Sequence, residues 1–460
     1  MKIWRDLGHK VQPSQNLIDY WNKMTSGSIN RQIFGAAVTV ALFTVLVKLV
    51  AVVKELVVAH RFGTGDELDA FLIALLVPSF VINVIAGSFN AALIPTYIQV
   101  REQEGKQAAQ RLFSGVTIWG LGLLVITTIL MLVAAPLYLP VIANGFDRQK
   151  LDLTFHLLYA IAPFILLSGI SIIWSAVLNA GERFALAAFS PIFTPGITII
   201  LLLGFESWRT FALAAGLICG TAMEIVILGI ALKKQKISLL PKWYGFNPHL
   251  HQVTKQYVPM IAGSFLMCST GLVDQSMAAM LPSGSVAALS YGSQVITLPI
   301  SLATTALSTA VIPYFSKMVA HQDWTNIHHT LKHYLKIILI VTVPLTLLLI
   351  VFSEQIVQLL YQRGSFTVND TQLVAKIQFY FAFQIPFYVA NILVVRLISA
   401  MQLNYILMQV SGLNLIINIV LNYVFMQWMG IIGIALSTSC VYVFCFLYMF
   451  TNAKVRLKKV

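Results

Sequence analysis

Six charged residues interrupt long apolar stretches of the sequence, and they are the first candidates for chemistry. Moving a charge to the centre of a bilayer costs about 2.5 to 3.5 kcal/mol on the insertion scale, so such a residue must face protein or water. If these stretches cross a membrane, the charges predict a polar interior between the helices. In chain order the residues are Lys48, Lys54, Glu55, Glu224, Asp274 and Arg396.

Lys48, Lys54 and Glu55 belong to one predicted helix. At about 100° per residue, Lys48 and Glu55 lie nearly on the same face, while Lys54 is turned by about 120° from Lys48. Ammonium groups pair with phosphate oxygens as point charges, so this wide polar flank suits a hydrated cavity that receives an anionic headgroup. For Lys54 an alternative stays open, because its side chain can also reach toward the membrane surface near His60.

Asp274, Asn414, Asn418 and Ser437 form a second candidate site, for a cation. Asp274 is the acidic residue of its apolar stretch, and Asn414 and Asn418, four positions apart, lie on one helix face and offer amide oxygens. Ser437, Thr438 and Ser439 add hydroxyls from the last apolar stretch, and Ser437 is the predicted ligand. We predict that Na⁺, as a coupling ion, binds here. The alternative is that the asparagines only hydrogen-bond between helices while Asp274 pairs with Arg396 or is protonated.

The composition identifies the elements that must position these residues. Hydrophobic residues make up 58% of the 460 residues and charged residues only 10%, whereas soluble proteins carry about 25% charged residues. Apolar stretches long enough to cross a bilayer as helices recur along the chain. We therefore predict an all-α integral membrane protein with about 12 transmembrane helices. They cover residues 32–59, 70–95, 113–135, 155–180, 184–204, 209–232, 257–281, 285–314, 331–352, 374–400, 404–426 and 430–451.

The basic residues predict how the chain is oriented. With an even number of helices both termini lie on one side, and the segments on that side hold 21 Lys and Arg residues against 6 on the other. Positive charge accumulates on the cytoplasmic side, so we expect both termini in the cytoplasm. The net charge of +13 therefore reflects membrane topology, and we expect no nucleic-acid partner.

A polar stretch in the middle of the sequence divides the chain into two halves. We predict a cytoplasmic extension (1–31), a six-helix lobe (32–232), a cytoplasmic linker (233–256), a second six-helix lobe (257–452) and a basic cytoplasmic tail (453–460). Each half repeats a short signature, Leu-Ile-Pro ending at Pro95 and Val-Ile-Pro ending at Pro313. Such a repeat predicts two bundles related by an axis along the membrane normal, with a cavity between them.

The segment from Lys48 to Pro95 resembles the first two helices of the MurJ/MviN lipid II flippases, a family of the multidrug/oligosaccharidyl-lipid/polysaccharide (MOP) exporter superfamily. The shared residues are the Lys48–Glu55 segment, Phe-Gly-Thr-Gly from Phe62, Asp-Ala-Phe from Asp69, and Leu-Ile-Pro at Pro95. The resemblance implies a V-shaped, MATE-like pair of bundles. It also implies alternating access and the translocation of a lipid-linked glycan.

The resemblance also implies roles for single residues. Lys48 and Lys54 match two basic positions of a central cavity, and Asp69 matches an aspartate at the outer end of helix 2. Asn83 and Gln294 stand near positions where the family carries charged residues. Some family members bind sodium with an aspartate of helix 7, two polar residues of helix 11 and a hydroxyl of helix 12. We expect substrate contacts from Lys48, Lys54, Glu55, Asp69, Asn83, Gln294 and Arg396.

We expect a flippase that carries an undecaprenyl-diphosphate-linked glycan of the lipid II type across the bacterial inner membrane for peptidoglycan biosynthesis. Its partners would be that glycan lipid, the surrounding membrane lipids and the machinery of cell-wall or polysaccharide biosynthesis. A flippase for exopolysaccharide or O-antigen repeat units is the first alternative, and a cation-coupled drug exporter is the second. The sequence offers no phosphate-binding loop and no Ser/His/Asp set in an exposed loop, so we expect a transporter and not an enzyme.

Overall fold

The computed structural model describes residues 29–181 and 183–459, which fold into twelve long helices. A short helix, Ser353–Tyr361, precedes the tenth. The predicted extension lies outside the described residues up to position 28, and the first helix begins at Ile29. The helices are α1 (Ile29–Phe62), α2 (Asp66–Glu104), α3 (Lys106–Ile142), α4 (Arg148–Ala180), α5 (Phe184–Gly204), α6 (Thr210–Lys234), α7 (Pro248–Ala278), α8 (Ser285–Ala320), α9 (Trp324–Val351), α10 (Val368–Ala400), α11 (Asn404–Met429) and α12 (Ile431–Lys459).

The described residues contain eleven helices that are long and apolar enough to cross a membrane, and α1, at 34 residues, is a twelfth helix of spanning length. About 20 helical residues are needed to cross about 30 Å of hydrocarbon. Large apolar side chains such as Val133 (73% exposed) and Leu137 (78% exposed) face outward from α3, as lipid requires. The predicted all-α multi-pass membrane fold is confirmed.

Several helices extend beyond the predicted spans because their ends are capped outside the apolar region. Helix α7 starts at Pro248 and not at 257, since the Asn247 side chain accepts a hydrogen bond from the backbone N–H of Leu250 at 2.8 Å. Helix α10 starts at Val368, where Thr367 and Asp370 form a capping box. Hydropathy locates the membrane-crossing part of a helix and misses such polar ends.

Helix α2 is interrupted by one π-helical turn. Regular α-helix runs over Asp66–Val81 and Gly87–Glu104, and Ile82–Ala86 form the wider turn between them. Pro78 lies one turn earlier, and because proline has no backbone N–H it cannot donate a hydrogen bond to the preceding turn of the helix. Turns of this kind insert one extra residue into a helix and are frequent at functional sites.

The helices pack as two bundles that meet along α2 and α7. In the first bundle α6 packs against α4 and α5, and α2 packs against α4; in the second, α12 packs against α10 and α11, and α8 against α10. Between the bundles, the Tyr257 hydroxyl donates to the Ile85 carbonyl at 2.8 Å, and its ring stacks on Phe89 with 4.4 Å between centroids. The face where α1 ends and α2 begins, predicted to lie outside the cell, is called the outer face below.

Candidate functional site

Two neighbouring charged residues in the membrane-spanning part of α1, Lys54 and Glu55, pair with each other. Lys54 Nζ and Glu55 Oε1 are 2.5 Å apart, and their side chains are 28% and 18% exposed. Lys48 is half-buried, and it forms no ion pair with any residue that the structure describes. Two turns of helix separate Lys48 from Glu55. Lys48 therefore keeps a positive charge that a ligand can neutralise.

Three other predicted substrate contacts lie on different helices. Asn83 is exposed within the π-helical turn of α2, Gln294 is exposed on α8, and Arg396 is half-buried on α10. Among the described residues, no hydrogen bond or ion pair joins Asn83 or Gln294 to the lysines of α1. Whether a substrate bridges them stays a prediction.

Asp69 lies in a buried contact between the two bundles. It is 1% exposed, and its Oδ2 atom accepts hydrogen bonds from Lys150 Nζ and from the Gly284 backbone N–H, both at 2.8 Å. Its Oδ1 atom accepts from the Ala287 N–H at 2.8 Å. The carboxylate thus caps the first turn of α8 and neutralises a buried lysine. In this conformation Asp69 joins the two bundles and both of its oxygens accept hydrogen bonds, and its predicted contact with a substrate stays a prediction.

Further contacts complete this junction, which we call the outer closure. Ser283 Oγ donates to Asp66 Oδ1 at 2.6 Å, and the Ser365 backbone N–H donates to the His60 carbonyl at 2.9 Å. The Thr64 hydroxyl also donates to the Asp370 carboxylate. The outer closure therefore holds the bundles together at the outer face. Its members are His60, Thr64, Asp66, Asp69, Lys150, Ser283, Gly284, Ala287, Ser365 and Asp370.

Two glycines allow the backbones to approach each other at the outer closure. Gly63 has φ +53° and lies against the Ser365 carbonyl, and Gly284 has φ +85° and lies against the Thr64 carbonyl. A side chain would be strained at either φ and would collide with backbone atoms of the other bundle. This explains the Phe-Gly-Thr-Gly string in structural terms, since it places the end of α1 against the second bundle.

Sequence reasoning missed Lys150 as a functional residue. Lys150 lies in the first turn of α4, where the Asp147 side chain accepts from its backbone N–H at 2.8 Å. Its side chain is only 8% exposed, and its Nζ atom is 2.6 Å from Asp66 Oδ1 and lies 4.1 Å from the centre of the Phe146 ring. No local sequence signal distinguishes it from an ordinary loop lysine.

The second candidate site is a polar cluster around Asp274 in the C-terminal bundle. The Nδ2 atoms of Asn418 and Asn422 donate to Asp274 Oδ1 at 2.9 and 2.7 Å. Thr438 Oγ1 donates to Asp274 Oδ2 at 3.3 Å. Helices α7, α11 and α12 therefore converge on one carboxylate, and these donors are neutral.

The structure brings two of the four predicted cation ligands, Asp274 and Asn418, into contact. Asn422 and Thr438 supply the other hydrogen bonds to Asp274, and a role of Asn414 and Ser437 as ligands stays a prediction. Asn414 and Asn422 each lie one turn from Asn418, so their spacing in the sequence does not show which of them contacts Asp274. Only the position of α7 across this face decides between them.

The Asp274 cluster has the composition of a site for a monovalent cation. Asn422 is fully buried, and its Oδ1 atom has no hydrogen-bonding partner among the described residues. A buried acceptor without a hydrogen bond lowers the stability of the folded protein by about 1 to 3 kcal/mol. The two ends of an amide have nearly the same shape, so rotation of the side-chain amide would turn its oxygen toward Asp274. The residues that would hold Na⁺ are then Asp274, Asn418, Asn422 and Thr438.

A cavity of about 340 Å³ adjoins the cluster. Asp274 and Thr438 line it, together with the hydroxyls and amides of α8 and α10, and part of its wall is apolar. A cavity of this size holds on the order of ten water molecules, which allows a hydrated ion to reach the carboxylate. The polar residues of α8 and α10 on its wall are Ser290, Ser293, Thr297, Gln384 and Tyr388.

Two helical bundles joined along α2 and α7, with polar groups between their helices, form the fold of solved transporters of the MOP superfamily. A solved multidrug resistance MATE family transporter of the MOP superfamily, in its inward-facing conformation, matches with a TM-score of 0.74 at 13% identity, covering 91% of this chain and 98% of that one. A solved lipid II flippase MurJ in an inward closed conformation matches with a TM-score of 0.78 at 24% identity, covering 91% and 87%. These likenesses establish the fold.

The family follows from the sequence itself. The model of the family described as lipid II flippase MurJ matches residues 58–460, and the chain belongs to this family. A probable lipid II flippase MurJ from Thermotoga maritima is 25% identical over 426 residues, which cover 91% of this chain and 85% of that protein. One from Synechocystis sp. is 25% identical over 391 residues, covering 82% and 73%. The predicted family is thereby confirmed.

Proposed function

We propose that this protein translocates a lipid II-type precursor, an undecaprenyl-diphosphate-linked glycan, across a bacterial inner membrane by alternating access. Family membership supports this, and the observation that carries it is Lys48, a cation within a membrane-spanning helix that pairs with no acidic group among the described residues. A diphosphate supplies the missing negative charge.

The geometry supports a sequence of steps for this transport. In the conformation described here the outer closure holds the bundles together, so the headgroup enters from the opposite, cytoplasmic side. Lys48 and Lys54 neutralise the diphosphate, and Glu55 holds Lys54 in place until the substrate arrives. Separation of Asp69 from the first turn of α8 then opens the outer face. Both termini stay in the cytoplasm throughout, close to the enzymes of cell-wall biosynthesis.

The test is translocation of lipid II in proteoliposomes that contain the purified protein. We expect Lys48→Ala and Lys54→Ala each to lower the rate at least about tenfold, because a hydrogen bond to a charged group is worth about 1.5 to 3 kcal/mol. Lys48→Arg should retain most activity. Lys376→Ala removes an exposed lysine at the start of α10 and serves as the matched control.

Two results would overturn this proposal. One is full translocation by both alanine variants at wild-type protein levels, which would exclude the cationic site. The other is a wild-type protein that moves exopolysaccharide or O-antigen lipids but leaves lipid II untouched, which would assign the first alternative substrate.

We further propose that Na⁺ binds at Asp274 and couples to transport. The donor set supports this, since the hydrogen-bond donors to the Asp274 carboxylate in the described part of the chain are all neutral. We expect NaCl to raise the thermal unfolding midpoint of the purified protein relative to KCl at equal ionic strength, and Asp274→Ala to abolish the difference. Equal midpoints in the two salts, or an unchanged Na⁺ effect in Asp274→Ala, would exclude the site.

A further inference from the structure

Three asparagines form a ladder along one face of α11. Asn414, Asn418 and Asn422 follow each other at intervals of four residues, so they lie in one row about 12 Å long. The two asparagines nearer the outer face bind Asp274. The third, Asn414, lies beyond the Asp274 cluster in the direction of the inner end of the bundle.

Helix α12 carries a matching row of polar groups. Thr438, Tyr442 and Cys445 follow at intervals of four and three residues, and α12 runs antiparallel to α11 and packs against it. Asn391 of α10 reaches this row, since its Nδ2 atom donates to the Tyr442 carbonyl at 3.2 Å. The amides of Asn391 and Asn414 both lie beside the Cys445 thiol.

Several acceptors along this row are buried without a partner. The Oδ1 atoms of Asn391, Asn414 and Asn422 make no hydrogen bond to any residue that the structure describes, and Asn391 is only 6% exposed. The Ser437 hydroxyl, next to Thr438 in α12, is fully buried and lacks a partner within the same described part of the chain. Buried amide oxygens normally find a donor or a cation, so this row is poorly explained as packing alone.

We propose that Asn391 and Asn414, with the Cys445 thiol beside them, form a second position for a partly hydrated monovalent cation, connected to Asp274 by the asparagine ladder. The proposal rests on the Na⁺ site proposed above. It assigns a route by which the ion leaves Asp274 toward the inner face. The oxygens along this route are neutral amide, hydroxyl and carbonyl groups, which stabilise a passing cation without trapping it.

Cys445 allows a direct test with the full-length protein in lipid nanodiscs. In a variant that carries C219A, C268A and C440A, Cys445 is the remaining native cysteine. We expect it to react with the small cationic reagent 2-aminoethyl methanethiosulfonate. The rate should fall about tenfold when the Na⁺ concentration is about ten times its dissociation constant, and K⁺ should have no such effect.

Two further variants make the result specific. Leu447 is 52% exposed on the lipid-facing side of α12. The reaction rate of a thiol placed there by Leu447→Cys, in a Cys445→Ala background, should not depend on Na⁺. Asn414→Leu should remove the Na⁺ protection of Cys445 while the thermal stabilisation by Na⁺ at Asp274 persists. An unreactive Cys445, or a rate that Na⁺ does not change, would overturn the second position.

The same measurements separate this inference from the proposed Na⁺ site. If Na⁺ still stabilises the protein against unfolding while Cys445 stays unreactive, the Asp274 site stands and the second position is excluded. If Na⁺ neither stabilises the protein nor protects Cys445, both are excluded.

Discussion

Asp69 and Asp274 are both aspartates that the fold surrounds with hydrogen-bond donors, but among the described residues only Asp69 has a cationic donor. Asp69 binds the buried ammonium of Lys150 and two backbone N–H groups of α8. Asp274 binds two side-chain amides and one hydroxyl, all neutral. Both carboxylates thus accept several hydrogen bonds, but the donors to Asp69 include a positive charge and those to Asp274 in the described part of the chain are neutral.

The difference separates a structural carboxylate from a ligand-binding one. A buried charge is stable when a partner charge compensates it, as Lys150 does for Asp69. Asp274 has hydrogen bonds but no such partner among its hydrogen-bond donors, and its charge is left for an ion from solution. The same reasoning applies to Lys48, whose compensating charge is expected from the substrate.

The largest effect is expected at the compensated aspartate. Asp69→Asn leaves the buried Lys150 ammonium with the 59% exposed Asp66 as its carboxylate partner, and breaking the buried pair costs up to about 5 kcal/mol. The outer closure should open more often. A cysteine introduced at Ser290, just inside the outer closure on α8, should then react about a hundredfold faster with an impermeant thiol reagent added outside.

The matched control is Asp66→Asn, which removes the second carboxylate bound to Lys150. The Asp66 side chain is 59% exposed, so its ion pair is screened by water and contributes less than about 1 kcal/mol. Equal labelling rates in the two variants would mean that burial does not distinguish these carboxylates.

A second negative charge at the Asp274 cluster should tighten cation binding. Asn422→Asp places a carboxylate 2.7 Å from Asp274 Oδ1, where the asparagine Nδ2 atom lies now. Attraction to Na⁺ should outweigh the repulsion between the two acids, and the Na⁺ concentration that gives half of the thermal stabilisation should fall about tenfold. Asn414→Asp, one turn beyond the cluster, should change it less. A higher half-saturating concentration in Asn422→Asp would contradict the assignment.

Neighbouring hydroxyls of α12 should differ in their effect on Na⁺ binding. Thr438→Val removes a hydroxyl that contacts Asp274 at 3.3 Å, so the half-saturating Na⁺ concentration should rise about fivefold, which corresponds to about 1 kcal/mol. Ser437→Ala removes the hydroxyl that was predicted from sequence and should leave this concentration unchanged. If Ser437→Ala raised the half-saturating Na⁺ concentration and Thr438→Val did not, Ser437 would be the hydroxyl ligand.

The smallest effect is expected at an exposed ion pair of the outer face. Glu206 is 73% exposed and lies 2.7 Å from Arg61. Such pairs contribute about 0.2 to 1 kcal/mol, so Glu206→Gln should shift the unfolding midpoint little and leave the Ser290 labelling rate unchanged. A large increase in labelling would show that outer closure depends on surface charge as well as on Asp69.

The sequence predicts the helices because an apolar stretch in lipid has few alternatives to a helix. It also predicts Asp274 and Asn418, since polar residues in such stretches must find each other. It does not predict which neighbour of Asn418 completes the cluster, because Asn414 and Asn422 are equivalent by spacing and only the path of α7 distinguishes them. The role of Lys150 is not predicted for a related reason. Its burial depends on how the two bundles meet, and the local sequence does not show this.

The π-helical turn of α2 determines which way the two parts of this helix face. One inserted residue rotates everything beyond it by about 100° relative to an uninterrupted helix. With Ile82–Ala86 in place, Asp69 and Ser88 point to the same side, where they meet the first turn of α8 and Ser264 of α7. Deleting one residue from this turn would preserve a continuous helix and its length in the membrane, but it would direct either Asp69 or Ser88 away from the second bundle. One inserted residue in α2 thus determines that Asp69 and Ser88 face the same side of the helix.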